Sequence, residues 1–227
     1  MKKVLMAKGA KTVVNTCVGV KPEEKVVIIT EASKMSIAET IAAATVAAGA
    51  EPIITVMVPR DGDGLEPPKP IAEAMFHSDA FICVVGKSIT HTHAVKNAKE
   101  NKSRGVVLTQ FSEDMMIHGG LECDFRAIAP ECIEFSKVLA NAKHVHLTTP
   151  FGTDLTFSAT GRRGNALYGV VEPGQFSTVP TIEANVSPCE GTANGIIVAD
   201  ASVPYIGIGL LGEPIVCEVK DGFITNI

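Results

Sequence analysis

Four short aliphatic runs rich in β-branched residues constrain the fold more than any other feature: Lys25–Thr30, Ile53–Val58, Ala80–Val85 and Gly105–Thr109. Parallel strands read this way because helices cover both faces of their sheet and no face needs polar residues. Parallel neighbours also need a long crossover, and the spacers supply it. Between the first two runs, Ser33 can cap a helix in which Ile37, Ile41, Ala44 and Ala48 recur at helical spacing, with Gly49 to end it. Residues 71–77 and 92–100 read as further helices, and helical stretches continue from the fourth run to Ala142. Residues 2–18 predict an amphipathic helix with Leu5, Val13 and Cys17 on one face, closed by Pro22. Residues 60–70 are too rich in glycine and proline for either element and predict an exposed loop. The expected fold class is α/β: a three-layer, Rossmann-like domain with a mostly parallel sheet over residues 1–143.

The pattern changes at His144. His144–Thr149, Thr153–Ser158, Pro214–Val219 and Phe223–Ile227 read as strands, and Asp221-Gly222 between the last two is a strong hairpin signal. Residues 144–227 are therefore expected to form a second, β-rich domain. Ile227 falls on a strand with no polar tail, which reads as an incomplete domain. An exposed apolar patch near residues 205–227 is the expectation, or its burial against a second copy of the chain, so a homo-oligomer.

Composition narrows the function classes. A net charge of −5 argues against nucleic acid as a partner, since phosphate neutralisation needs clustered cations, and two tyrosines with no tryptophan leave few stacking platforms. Six scattered cysteines without a C-x-x-C pair predict neither a zinc ribbon nor a redox motif, and a reducing cytoplasm is their simplest setting. No apolar run reaches the ~20 residues of a membrane span. Neither a dinucleotide fingerprint, a nucleophile elbow nor a phosphate-binding Walker loop is present. The expected partners are a small molecule or a peptide.

Candidate chemistry gathers in a few places. Ser88-Ile-Thr-His-Thr-His93 directly follows the third strand, where open α/β sheets bind ligands. His91 and His93 are two apart and diverge on a helix, so one imidazole facing a cleft fits better than a shared metal; a helix cap with exposed histidines is an equal reading. His144 and His146 share a strand face and can hold a metal together, though no third ligand follows at a fixed spacing. Asp154 reads as a turn residue. Arg162 and Arg163, in a glycine loop, suit a carboxylate or phosphate but are commonly just solvated. Glu183 and Glu190 sit seven apart in the stretch 178–200, stiffened by Pro180 and Pro188 and turned by Gly191 and Gly195. A carboxylate so placed suits a metal ligand or a general base; two surface glutamates on a hairpin is the plainer alternative.

Pro180-Thr-Ile-Glu183, Ser187-Pro-Cys-Glu-Gly-Thr-Ala-Asn-Gly195 and the Asp221-Gly222 hairpin resemble the aminopeptidase T (thermophilic metallopeptidase) superfamily, whose relatives include the 2,5-dihydroxypyridine dioxygenases. Gly152–Ser158 and Ser88–His93 look like that second, shorter branch. The resemblance implies a metalloenzyme using a divalent ion: zinc or cobalt for a peptidase, ferrous iron for a ring-cleaving dioxygenase. In the peptidase branch Glu183 matches the first metal ligand, while the remaining ligands lie beyond the hairpin, so this chain is expected not to retain the metal by itself. The main expectation is a metal-dependent aminopeptidase-like hydrolase. The alternatives are a ring-cleaving dioxygenase with His91 or His93 as base, or a non-catalytic module.

Overall fold

In the computed structural model, which describes residues 1–203 and 208–227, strands and helices alternate through the first half of the chain. The helices are α1 (Lys2–Lys11), continued by a π-helical segment Thr12–Val18, then α2 (Met35–Ala47), α3 (Lys69–Phe76), α4 (His93–Glu100), α5 (Glu113–Ile117) and α6 (Phe125–Asn141). Among the first strands are β1 (Lys25–Thr30), β2 (Glu51–Val56), β3 (Ala80–Val85) and β4 (Arg104–Thr109). After α6 come β5 (His144–Thr148), β6 (Asp154–Ser158), β7 (Asn165–Leu167), β8 (Phe176–Thr178) and β9 (Glu183–Asn185). The last are β10 (Asn194–Ala199), β11 (Ser202–Val203), β12 (Gly209–Leu210), β13 (Ile215–Lys220) and β14 (Phe223–Asn226).

The fold is mixed α/β, as the aliphatic runs predict. One sheet has the order β2-β1-β3-β4-β8, with every neighbouring pair parallel. Alternation along the strands builds two separate cores. Ile28, Ile82, Val84, Val106 and Leu108 pack with Met6, Ile37 and Ile41 from α1 and α2. Ile29, Phe81, Cys83 and Val107 pack with Met75 and Val95 from α3 and α4 on the other face. That is the three-layer arrangement, and β3 is buried along its whole length. The second run is paired from Glu51 rather than Ile53, because Glu51 is in register with Lys25 and the two side chains form an ion pair. Leu5 is exposed; Met6, Ala10, Val13 and Cys17 form the buried stripe of the first helix instead.

Arg104 ties the amino edge of this sheet together. Its side chain is buried, and its guanidinium donates to the carbonyls of Val18 (2.7 Å) and Gly19 (2.9 Å) and to the Glu24 carboxylate (2.6 Å). A buried cation is tolerated only when paired and hydrogen-bonded, and here it is both.

The chain divides into two compact units, Met1–Pro130 with Leu167–Glu183, and Glu131–Ala166 with Ala184–Ile227. This differs from a single crossing near residue 143. The reason is β8: its Phe176, Ser177 and Thr178 pair in parallel with Gly105, Val106 and Val107, which places the segment around it in the first unit. A short strand flanked by Gly174 and Pro180 carries too weak an apolar signature to declare itself in the sequence.

The second unit holds an antiparallel sheet of order β14-β13-β10-β6-β5. Asp221 (φ 49°) and Gly222 (φ 83°) both take positive φ, the geometry that an Asp-Gly hairpin turn requires. Its core is thin. Leu155, Ala159 and Val219 are buried, whereas Leu147, Ile196, Val216, Phe223 and Ile224 are exposed. Of the apolar stretch expected at 205–227, residues 205–207 lie outside the described residues, and Ile208, Leu210 and Ile227 are exposed.

All six cysteines are free thiols. Burial pushes the Cys17 thiol up to about 12 and raises that of Cys83 as well, and the thiolate is the reactive form. Native protein treated with a thiol reagent is expected to modify Cys123, Cys189 and Cys217 first, with Cys17, Cys83 and Cys132 reacting only on denaturation. Rapid labelling of Cys17 or Cys83 under native conditions, read by mass spectrometry, would contradict this packing.

Candidate functional site

The strand order reverses at β1 and β3: the chain passes from β1 to β2 on one side, then returns to the other side for β3. In open parallel sheets, ligands bind beyond the carboxyl ends of the strands at such a switch point. Three segments meet there: the end of β1 at Thr30-Glu31, the loop 86–92 after β3, and Gln110 after β4, which donates to the Val85 carbonyl (2.8 Å). The Thr30 hydroxyl donates to the Val84 carbonyl (3.2 Å) and so fastens β1 to β3 at this edge.

Carboxylates from three different segments hold the loop. Glu31 Oε1 accepts from the Gly86 N–H (3.0 Å), and Asp63 Oδ1 accepts from the Ser88 N–H (2.6 Å). Glu66 takes both leading amides of α4, His93 N–H at Oε1 (2.6 Å) and Ala94 N–H at Oε2 (3.2 Å). An anionic side chain at a helix amino end satisfies orphan donors and complements the helix dipole. Thr92 is the N-cap, accepting from Val95 N–H (3.4 Å). Ser88 Oγ donates to Thr90 Oγ1 (2.7 Å) inside the loop. The exposed loop expected over 60–70 thus has a second role, since its two acids position the next one.

His91 and His93 both lie at this carboxyl edge, on either side of the buried Thr92, and both are exposed. The capping reading holds: Thr92 caps α4, and the two exposed histidines flank it. Among the described residues neither ring is engaged in an ion pair or side-chain hydrogen bond. An imidazole so exposed can accept or donate a proton.

Sequence reasoning missed Glu31. It is buried, 3% exposed, and is the only carboxylate so placed among the described residues. The usable signal was its position directly after a buried strand.

The remaining candidates lie on other elements. Glu183 opens β9 and is exposed. Glu190 sits next to the Gly191 turn, where its own backbone amide and then the paired Arg162 guanidinium lower its carboxyl from the usual carboxylate value. Arg162 is thus satisfied within the chain. Asp154 pairs not with its turn but across the sheet, Oδ1 to His146 Nε2 at 2.8 Å, because Asp154 lies opposite Thr148 and diagonal to His146. His144 and His146 line an open depression of about 460 Å³ with Thr156, Ser158 and Thr192. Among the described residues, no three His, Cys, Asp or Glu side chains converge as a metal site. No helix of the described residues is long and apolar enough to cross a membrane.

No curated protein sequence matches the chain. The fold is that of 2,5-dihydroxypyridine dioxygenase from Pseudomonas putida KT2440 (TM-score 0.81, 14% identity), over 99% of this chain and 68% of that one. It is also similar to wild-type AmpT from Thermus thermophilus (TM-score 0.68, 16% identity), over 100% of this chain and 71% of that one. The profile of one family matches residues 6–227, nearly the whole sequence, and on that match the chain belongs to the 2,5-dihydroxypyridine 5,6-dioxygenase (NicX) family.

Proposed function

We propose that the protein acts on a hydroxylated nitrogen heterocycle as a ring-cleaving dioxygenase, rather than as the aminopeptidase favoured by the Pro-Thr-x-Glu motif. The observation that carries this reading is the family match across residues 6–227. Both branches share the fold, so the fold does not choose between them.

On this reading the carboxyl edge of the parallel sheet meets the ring. His91 or His93 takes the proton from a ring hydroxyl, leaving a ring oxyanion that is electron-rich and ready for oxidation. The loop is held through its backbone by Glu31, Asp63 and Glu66, so the imidazoles carry no structural duty and remain available. Glu183 is the candidate ligand to a divalent metal by its place in Pro180-Thr-Ile-Glu183. One carboxylate does not hold such an ion with useful affinity, and among the described residues no cluster of three His, Cys, Asp or Glu completes it, so the ion would need further donors.

Oxygen uptake with 2,5-dihydroxypyridine, measured after ferrous iron is added, tests the reading. With ferrous iron in large excess, so that weak ion binding is offset by mass action, turnover is expected, and alanine at the catalytic one of His91 and His93 should lower it by about 10²–10⁴-fold. Hydrolysis of an aminoacyl-p-nitroanilide with zinc or cobalt and no oxygen uptake would return the protein to the peptidase reading. Inactivity in both assays would leave the third reading, a binding module.

A further inference from the structure

The two buried charges of the first unit are treated differently. Arg104, the buried cation, is met by the Glu24 carboxylate and two carbonyls. Glu31, the buried anion, has no cation: among the described residues it forms no ion pair, and its side chain makes one hydrogen bond, from Gly86 N–H to Oε1. Lys34, three residues on, is committed elsewhere, donating to the Phe111 carbonyl at 2.9 Å. Burying a carboxylate without full compensation is costly. No fully buried side-chain oxygen among the described residues lacks a partner, so Oε2, which has none, is not completely enclosed. Gly86 leaves it room, since a Cβ there would stand 3.0 Å from Oε2.

We propose that a ligand completes Glu31: a small hydroxylated ring whose O–H donates to Oε2 in the crevice between the ends of β1 and β3. Glu31 is then a ligand-reading residue, selecting for a ring that carries a donor. A ring without one would leave the carboxylate desolvated and unpaired, which penalises binding more than a lost contact would. The proposal rests on the preceding section only for the choice of a ring as the donor's carrier.

The test uses the full 227-residue chain, ¹⁵N-labelled, with 3-hydroxypyridine and pyridine as matched probes. The Gly86 amide is the reporter, because its proton lies on the same carboxylate. 3-Hydroxypyridine is expected to shift the Gly86 resonance saturably and pyridine to leave it unmoved. Glu31→Gln, which keeps the shape and removes the charge, should weaken 3-hydroxypyridine by about tenfold or more. Equal shifts from both probes, saturation only at other residues, or unchanged affinity in Glu31→Gln would overturn the proposal. Should Glu31→Gln fail to fold, Glu31→Asp serves instead: it keeps the charge but withdraws the carboxylate by one methylene, so it is expected to weaken the same probe, and an unaltered affinity there would equally overturn the proposal. Binding is read without turnover, so the two readings fail separately. A saturable, Glu31-dependent shift in a protein that consumes no oxygen keeps this site and removes the dioxygenase, and oxygen uptake without that dependence does the reverse.

Discussion

Replacing Arg104 with alanine is expected to destabilise the protein by about 3–5 kcal/mol, the usual cost of breaking a buried pair from one side. Three losses combine. Glu24 keeps a largely buried carboxylate with no cation, and the Val18 and Gly19 carbonyls lose their donors. The segment Thr12–Val18 then loses the anchor at its end, where Gly19 turns the chain in the left-handed region. Arg104→Met should cost less than alanine because its chain refills the volume, and adding Glu24→Gln should recover part of the alanine loss by removing the stranded charge. Urea denaturation measures all three, with the midpoint falling and the slope unchanged. An Arg104→Ala variant within ~1 kcal/mol of the parent would mean that the clamp contributes little.

This clamp also shows why some of the fold was legible in the sequence and some was not. The parallel strands declared themselves because burial on both faces forces a run of aliphatic residues, and residues 25–30 and 80–85 lie where the runs placed them. The Asp221-Gly222 turn was equally plain, since few other pairs accept two positive φ angles. Arg104 was not legible. Its partners are carbonyls and a carboxylate about 80 residues away in sequence, and no local pattern records a contact set by tertiary packing. The short β8 was hidden for a related reason: three residues are too few for a period.

The candidate site divides along the same line. His91 and His93 could be placed at the carboxyl edge because strand and loop follow directly in sequence. That Thr92 faces inward between them follows from its capping bond, which also leaves both rings outside. The three carboxylates that hold their loop come from residues 31, 63 and 66, and only the fold brings them to Gly86, Ser88 and His93. Glu31 itself looked like a strand terminus, and its burial was visible only once β3 was packed beside β1.

Gly191 and Gly195 looked alike in the sequence, both as turn glycines, and the structure separates them by what a side chain would meet. Gly191 sits at φ 73° with nothing near a Cβ, so Gly191→Ala is expected to cost about 1 kcal/mol from backbone strain alone. Gly195 lies inside β10 at φ 132°, opposite Leu155, and a Cβ there would stand 2.0 Å from the Asp154 carbonyl oxygen. No rotamer relieves a backbone clash, so β6 must move away from β10. Gly195→Ala should therefore cost about 2–5 kcal/mol, from strain and overpacking together. The loss should fall on the second unit, with faster hydrogen exchange at Leu155 and Ile197 and little change in β1 or β3. Equal stability of the Gly191→Ala and Gly195→Ala variants in urea would show that β6 does not approach β10 as closely as the glycine implies.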